Sequence, residues 1–224
     1  MPNIILQHFD GELRELDKLS KNNIMEYADQ CGAEYELVKG KPFRNHLTSP
    51  CQKVFMLDEK YDEYDDVLML DIDMFVPKNM KVNIFDQVGV GLYNPIQQRL
   101  HSKLVNKHPF QGSMDTPYWG GAIYKMDRKL RQKLRAGLGG NEGWMNAYNQ
   151  PYQWEDEGIF HTLAFKTGLR INQDQMLHPK WCYDNYLDYP QYAGMIHIRT
   201  KITPQGPKQE KIKNYQALVD KGIL

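Results

Sequence analysis

Apolar positions along the chain fall into two rhythms, short unbroken blocks and stretches with helical spacing. Ile4, Ile5 and Leu6 form a first block and predict a strand. Leu16, Leu19, Ile24, Tyr27 and Ala28 then recur with the period of a helix over 16–31. Ser20 and Asn23 interrupt that stripe, and Ser20 suits the N-cap of a helix that starts there. Gly32 stands where a helix-ending glycine is expected. A second strand is predicted over 34–38, a loop over 39–50, and a second helix over 51–61 with Val54, Phe55 and Leu57 facing the core. After an acidic turn over 62–66, Val67, Leu68, Met69 and Leu70 run without a polar break. Such a run predicts a strand covered on both faces, as in parallel sheets.

The second half of the chain is less regular. Residues 88–92 read as a strand, and 97–117 as a long polar surface loop rich in His, Lys and Gly, a candidate lid. A strand over 120–126 leads into a helix over 127–136 capped by Asp127, and a loop-rich stretch follows over 137–152. A helix over 155–167 is closed by Gly168, with a short strand over 169–171 and a last strand over 195–198. A terminal helix over 209–221 carries Ile212, Tyr215 and Val219 on one face. Alternation of strands and helices predicts an α/β fold with a Rossmann-like, mostly parallel central sheet flanked by helices. One domain is expected, with a nucleotide-binding half over 1–95, an acceptor and sugar half over 96–201, and a tail helix over 202–224.

Composition narrows the function classes. The 224 residues hold 28 Lys and Arg against 28 Asp and Glu, so no global field points to nucleic acid or an acidic membrane. Three widely spaced cysteines, Cys31, Cys51 and Cys182, form no CxxC pair, which argues against a disulfide framework or a zinc knuckle. The first apolar run has only three residues, too short for a signal peptide, and no segment approaches the roughly 18 apolar residues of a membrane span. The expectation is a soluble, cytoplasmic protein of a reducing compartment.

The sharpest chemical signal is Leu68-Met69-Leu70-Asp71-Ile72-Asp73, a buried strand running into Asp-x-Asp. In open α/β sheets ligands bind beyond the carboxyl ends of the strands. Two carboxylates there repel one another unless a divalent cation lies between them, and oxygen ligands suit Mg²⁺ or Mn²⁺. Such a metal bridges a diphosphate and neutralises its charge as it departs. The acidic turn over 62–66 lies at the other end of the strand and reads as a solvated turn.

In this order of motifs the chain resembles GT-A glycosyltransferases, in particular the retaining families of glycogenin and the bacterial galactosyltransferases. The resemblance rests on the helix that ends in YADQCG, on Lys53 followed by the strand into Asp71 and Asp73, and on Tyr118-Trp119-Gly120-Gly121. Trp154-Glu155-Asp156-Glu157 and Met195-Ile196-His197 complete it. It spans most of 1–201. It implies a nucleotide-sugar donor, with UDP as the nucleotide, and a glycan or other hydroxyl acceptor. Asp73 and His197 would be metal ligands, with Asp71 either a third ligand or a contact to the ribose or sugar. The imidazole favours Mn²⁺ over Mg²⁺. The families' glycine and Lys-Pro-Trp after the histidine are missing here, and Arg199 or Lys201 would take the diphosphate contact instead.

Gln7, His8 and Phe9 follow the first strand, where a base would dock. Lys53 resembles the families' sugar-contacting lysine. Gly120 and Gly121 allow backbone to approach a ligand, and Trp119 either stacks on a sugar or belongs to the core. Asp156 and Glu157 are the catalytic candidates. Acidic residues suit a helix start for dipole reasons alone, but a carboxylate there can also steady an oxocarbenium-like transition state. Two other classes compete. A nucleotidyltransferase would carry a Gly-rich basic loop after its first strand, which Gln7-His8-Phe9-Asp10-Gly11 is not, and a haloacid-type phosphohydrolase would place Asp-x-Asp after its first strand. A sugar-binding protein on a decayed transferase fold is the third.

Overall fold

The structure is a computed structural model in which residues 2–93, 117, 119–139, 155–182, 194–200 and 208–224 are described. The expectations for 97–116 and 140–152, and for Tyr118, Trp154 and Lys201, lie outside those residues.

The first block extends three residues beyond its apolar part to form β1 (Ile4–Phe9), and α1 (Glu15–Cys31) returns the chain to β2 (Glu34–Lys39). β3 (Asp66–Leu70) is followed by the short β4 (Met74–Phe75), β5 (Gly91–Tyr93) and the long β6 (Trp119–Asp127). The main sheet has the order β2-β1-β3-β6-β5. β1 pairs in parallel with β2 and β3, while β6 pairs antiparallel with both β3 and β5. All strands but β6 therefore run the same way, which makes the sheet mixed but mostly parallel. The helices α2 (Arg128–Ala136) and α3 (Glu155–Lys166) follow β6, and β7 (Ile196–His197) and α4 (Lys211–Asp220) close the chain.

β3 is the middle strand, and Val67, Leu68, Met69 and Leu70 are all fully buried. Val67 and Met69 face one core with Ile4, Leu6, Leu134 of α2 and Ile159, Phe160 and Leu163 of α3. Leu68 and Leu70 face another with Ile5 and with Ile24, Tyr27 and Ala28 of α1. A strand with helices on both faces must be apolar on both, hence the unbroken run. A third cluster joins Phe75, Ile196 and Ile198 to Leu16 and to Leu218 of α4, with Ile212, Tyr215 and Val219 packed around it. The apolar face predicted for the terminal helix thus docks on β4 and β7.

Both predicted glycine stops hold. Gly32 and Gly168 adopt φ of 64° and 60°, and the next residue closes the helix in each case, Ala33 N–H onto Ala28 O and Leu169 N–H onto Ala164 O. Asp127 caps α2 by accepting from Leu130 N–H at 2.7 Å.

Other expectations need correction. α1 begins at Glu15 with Arg14 as N-cap, because the buried Asp17 side chain accepts from the Arg14 amide and guanidinium. Ser20 lies inside the helix, fully buried, where its hydroxyl donates to Met74 O at 2.7 Å and ties α1 to β4. The helix expected over 51–61 is two 3₁₀ segments, Pro50–Leu57 and Glu59–Tyr61. Cys51, Gln52, Lys53, Val54, Met56 and Leu57 are all buried there, so no amphipathic stripe exists to support an α-helix. The strand over 88–92 begins only at Gly91, since Val88 stands 78% exposed. Residues 169–171 form no strand, because the Leu169 amide is spent on closing α3. The acidic turn over 62–66 is also more than solvated surface. Arg135 pairs with Asp62 at 2.7 Å, and the fully buried Arg131 guanidinium donates to the carbonyls of Tyr61, Tyr64 and Met126. Cys31, Cys51 and Cys182 are free thiols, and among the described residues no helix is long and apolar enough to cross a membrane.

Candidate metal and donor site

The Asp-x-Asp pair sits where β3 leaves the sheet. The Asp71 amide still continues the ladder onto Ala122 O at 3.0 Å, and a tight turn follows, with Met74 N–H on Asp71 O at 3.2 Å. β4 then pairs antiparallel with β7, Met74 opposite His197 and Phe75 opposite Ile196, and Ile198 N–H reaches Asp73 O at 3.0 Å. This two-stranded ladder carries the late histidine to Asp71 and Asp73. With Ile196 and Ile198 committed to the α4 core, alternation turns His197 to the opposite face.

His197 Nε2 lies 3.0 Å from Asp73 Oδ1 and 3.7 Å from Asp71 Oδ2. One ligand atom from each of the three residues falls within 4.8 Å of the others. Two carboxylates and an imidazole meeting at a strand end are a fitting donor set for Mn²⁺ or Mg²⁺. Lys211 of α4 ion-pairs with Asp73 Oδ2. Burial alone would raise the Asp73 pKa, but His197 and Lys211 outweigh it and hold the carboxyl well below the usual range. Burial would depress the His197 pKa, and Asp73 reverses that to lift it well above the ordinary value. Nδ1, on the far side of the ring, is 3.8 Å from Cys182 Sγ and 3.4 Å from Arg199 Nε.

A second cluster adjoins the first through Asp71. Lys53 Nζ is 2.8 Å from Asp71 Oδ1, 2.7 Å from Asp156 Oδ2 and 2.6 Å from Gly121 O. An ammonium has three N–H donors, and these three acceptors account for them. The Tyr124 hydroxyl also donates to Asp156 Oδ2 at 2.9 Å, and the Gly121 amide donates to Glu157 Oε1. A Cβ built on Gly121 would come within 2.9 Å of both Asp156 Oδ2 and Glu157 Oε1, so only glycine lets β6 approach α3 this closely. Burial works against the Lys53 charge, yet Asp156 and Asp71 hold its pKa above the ordinary value. Burial holds Asp156 above the usual carboxylate range despite Lys53, with which Asp71 competes as a second negative charge.

Searches with the sequence give no family model and no curated protein that matches. Solved structures do match. One is a glycosyltransferase involved in glycosylation of the major capsid of PBCV-1 (TM-score 0.58, 13% identity, 98% of this chain and 100% of that one). Another is the galactosyltransferase LgtC with donor and acceptor sugar analogs (TM-score 0.55, 12% identity, 97% and 95%). A third is the bifunctional glycosyltransferase WbbM, of which 46% is covered by 93% of this chain (TM-score 0.59, 14% identity). The chain has the GT-A fold. The structure therefore bears out the fold expected from the order of motifs, at identities far too low for sequence comparison to register.

On this GT-A frame the sequence-derived site residues divide. Asp71, Asp73, His197, Lys53, Gly121, Asp156 and Glu157 come together in the two adjoining clusters, and Arg199 borders them through the His197 ring. Gln7 stands behind the site. Its fully buried amide donates to Asp71 O at 3.1 Å and to Ser20 Oγ at 3.0 Å, and accepts from the Tyr35 hydroxyl, so it braces the turn at Asp71 instead of facing a base. His8 is buried with Nε2 on Gly40 O at 2.6 Å, and burial pushes its pKa down. Phe9, at the open end of β1, is half-buried under the Arg14 guanidinium. Trp119 is fully buried against Phe160 and His161, which decides its two readings in favour of the core. Gly120 is buried opposite Leu92 in the β5–β6 ladder.

Sequence reasoning missed Tyr124, Cys182 and Lys211. The strand pattern could have flagged Tyr124, the one hydroxyl in an apolar strand, but nothing in the spacing points to the other two.

Proposed function

We propose that this chain is a metal-dependent glycosyltransferase that moves a sugar from a nucleotide-sugar donor, a UDP-sugar, to a glycan or other hydroxyl acceptor with retention. The observation that carries the reading is the meeting of Asp71, Asp73 and His197 at the end of the central strand of a GT-A sheet. The glycosyltransferase structures that share the fold support the reaction class, and the likeness in motif order to retaining families supports the stereochemistry.

In this reading Asp73 and His197 hold the cation, with Asp71 as the third ligand, and Mn²⁺ suits the imidazole better than Mg²⁺ does. When bound, the cation neutralises charge on the leaving diphosphate. Lys53 fixes Asp71 and Asp156 relative to one another, so the metal side and the sugar side of the site keep one geometry. Gly121 lets β6 approach α3 closely, and its amide holds Glu157 beside Asp156. Asp156 steadies positive charge at the anomeric carbon as the glycosidic bond to phosphate stretches. Arg199, exposed beside His197, is placed to meet the diphosphate, and Lys201 shares that proposed role.

The test is a donor screen. UDP-, GDP-, CMP- and dTDP-sugars are incubated with the protein, with and without Mn²⁺, and free nucleotide is measured. Release from a UDP-sugar that requires Mn²⁺ and disappears in Asp73→Ala is the expected result, with the anomeric configuration of the product read by NMR. Equal release without metal, or release from no donor, contradicts the proposal.

A further inference from the structure

The triad has a neighbour that the proposed reaction does not call for. Lys211 opens α4, 138 residues beyond Asp73, and its ammonium pairs with Asp73 Oδ2 while His197 faces Oδ1. Both oxygens of the carboxylate proposed to grip the cation are thus already engaged.

Among the described residues, Lys53 and Lys211 bring ammonium groups to the site, and they are held very differently. Lys53 is buried, with all three donors spent on Asp71, Asp156 and Gly121. It cannot leave without exposing Asp156 to an uncompensated burial cost. The Lys211 side chain is 34% exposed and reaches Asp73, itself 11% exposed, from the solvent side. Helix α4 does not depend on this pair for its docking. Leu218 is buried against Phe75 and Ile196, Tyr215 packs on Phe75 with ring centroids 5.1 Å apart, and Asn214 Nδ2 donates to Arg199 O at 2.6 Å. The Lys211 side chain can therefore swing away while the helix stays in place.

We infer that Lys211 is an internal counter-cation that competes with the divalent metal for Asp73, so that metal binding requires its displacement and α4 sets the metal affinity. The inference rests on the metal reading given above. Asp71 is shared with Lys53, so Asp73 is the carboxylate with a charge to offer, and Lys211 already neutralises it. A dication placed on Asp73 repels an ammonium at hydrogen-bonding distance from the same carboxylate, and this repulsion expels Lys211 into solvent.

The experiment is calorimetric titration of Mn²⁺ into the wild-type chain, Lys211→Met, Lys211→Arg and Lys213→Met, each first checked for an unchanged thermal transition without metal. Among the described residues Lys213 pairs with Glu210 at 3.8 Å, on the exposed side of α4, and it serves as the control. Lys211→Met should bind Mn²⁺ roughly three- to fivefold more tightly, the scale of one partly exposed ion pair, with Lys211→Arg and Lys213→Met close to wild type. In a second readout, mass spectrometry of amine acylation, Mn²⁺ should speed modification of Lys211 in the wild-type chain and leave Lys213 unchanged. If Lys211→Met binds as the wild type does or more weakly, or if Mn²⁺ protects Lys211, the inference is wrong although the metal reading stands. No Mn²⁺ binding in wild type or any variant removes the metal reading itself.

Discussion

The two halves of the site answer the same electrostatic problem in opposite ways. Around Asp156 the charges are dry and closed. One buried ammonium serves two carboxylates and a carbonyl, a tyrosine hydroxyl adds a bond, and a glycine keeps the space tight. Around Asp73 they are open and exchangeable. The carboxylate faces an imidazole and a lysine that arrives from solvent on a late helix. A saturated network rigidifies what it contains, whereas a network closed by a partly exposed side chain can trade that partner for a ligand. In the proposed reading the Lys53 half positions and the Asp73 half exchanges its cation.

The contrast breaks most sharply at Asp73. Asp73→Asn keeps the shape but removes the charge, and Mn²⁺ affinity should fall by more than about a hundredfold, beyond the effect of removing a supporting residue. Folding stability should fall as well, because His197 and Lys211 lose the carboxylate they share, and calorimetry beside urea denaturation reads the two losses separately. Lys53→Met should act on stability first. It strands Asp156 in the interior and should cost about 3–5 kcal/mol in urea denaturation, much of it recovered in the double variant Lys53→Met/Asp156→Asn. A lack of recovery would mean that Lys53 acts through packing and not through charge.

Smaller changes sharpen the same line. Tyr124→Phe removes one hydrogen bond to the Asp156 carboxylate and should cost about 1.5–3 kcal/mol with Mn²⁺ affinity unchanged. Gly121→Ala pushes a methyl against two carboxylates and should cost about 1–3 kcal/mol, with donor turnover falling more than metal affinity. Equal losses of metal binding in these two variants would show that the halves are one unit.

How much of this was legible in the chain follows from the range of the interactions. The buried run Val67 to Leu70, the stops at Gly32 and Gly168 and the Asp127 cap are local, and they stand as read. The sequence also named Asp71, Asp73 and His197, the three residues that the structure brings together, because a strand end, an acidic pair and a late histidine in that order carry meaning together. It failed where tertiary burial overrode a local rule. Ser20 has the right side chain for a cap but is spent joining Met74 and Gln7, and 51–57 has a helical pattern yet is buried almost all round. Gln7 and Trp119 were placed at the right end of the right strands, but their polar and aromatic surfaces are consumed by the protein. Lys211 was invisible because only the docking of α4 on β4 and β7 brings it to Asp73.

The most direct test of the central claim, a divalent cation held by Asp71, Asp73 and His197 that in turn holds a nucleoside diphosphate, is titration of UDP into the protein with and without Mn²⁺. The account predicts binding that depends on Mn²⁺ and is lost in Asp73→Asn. UDP binding of equal strength in the presence of a chelator, or intact binding in Asp73→Asn, would contradict it.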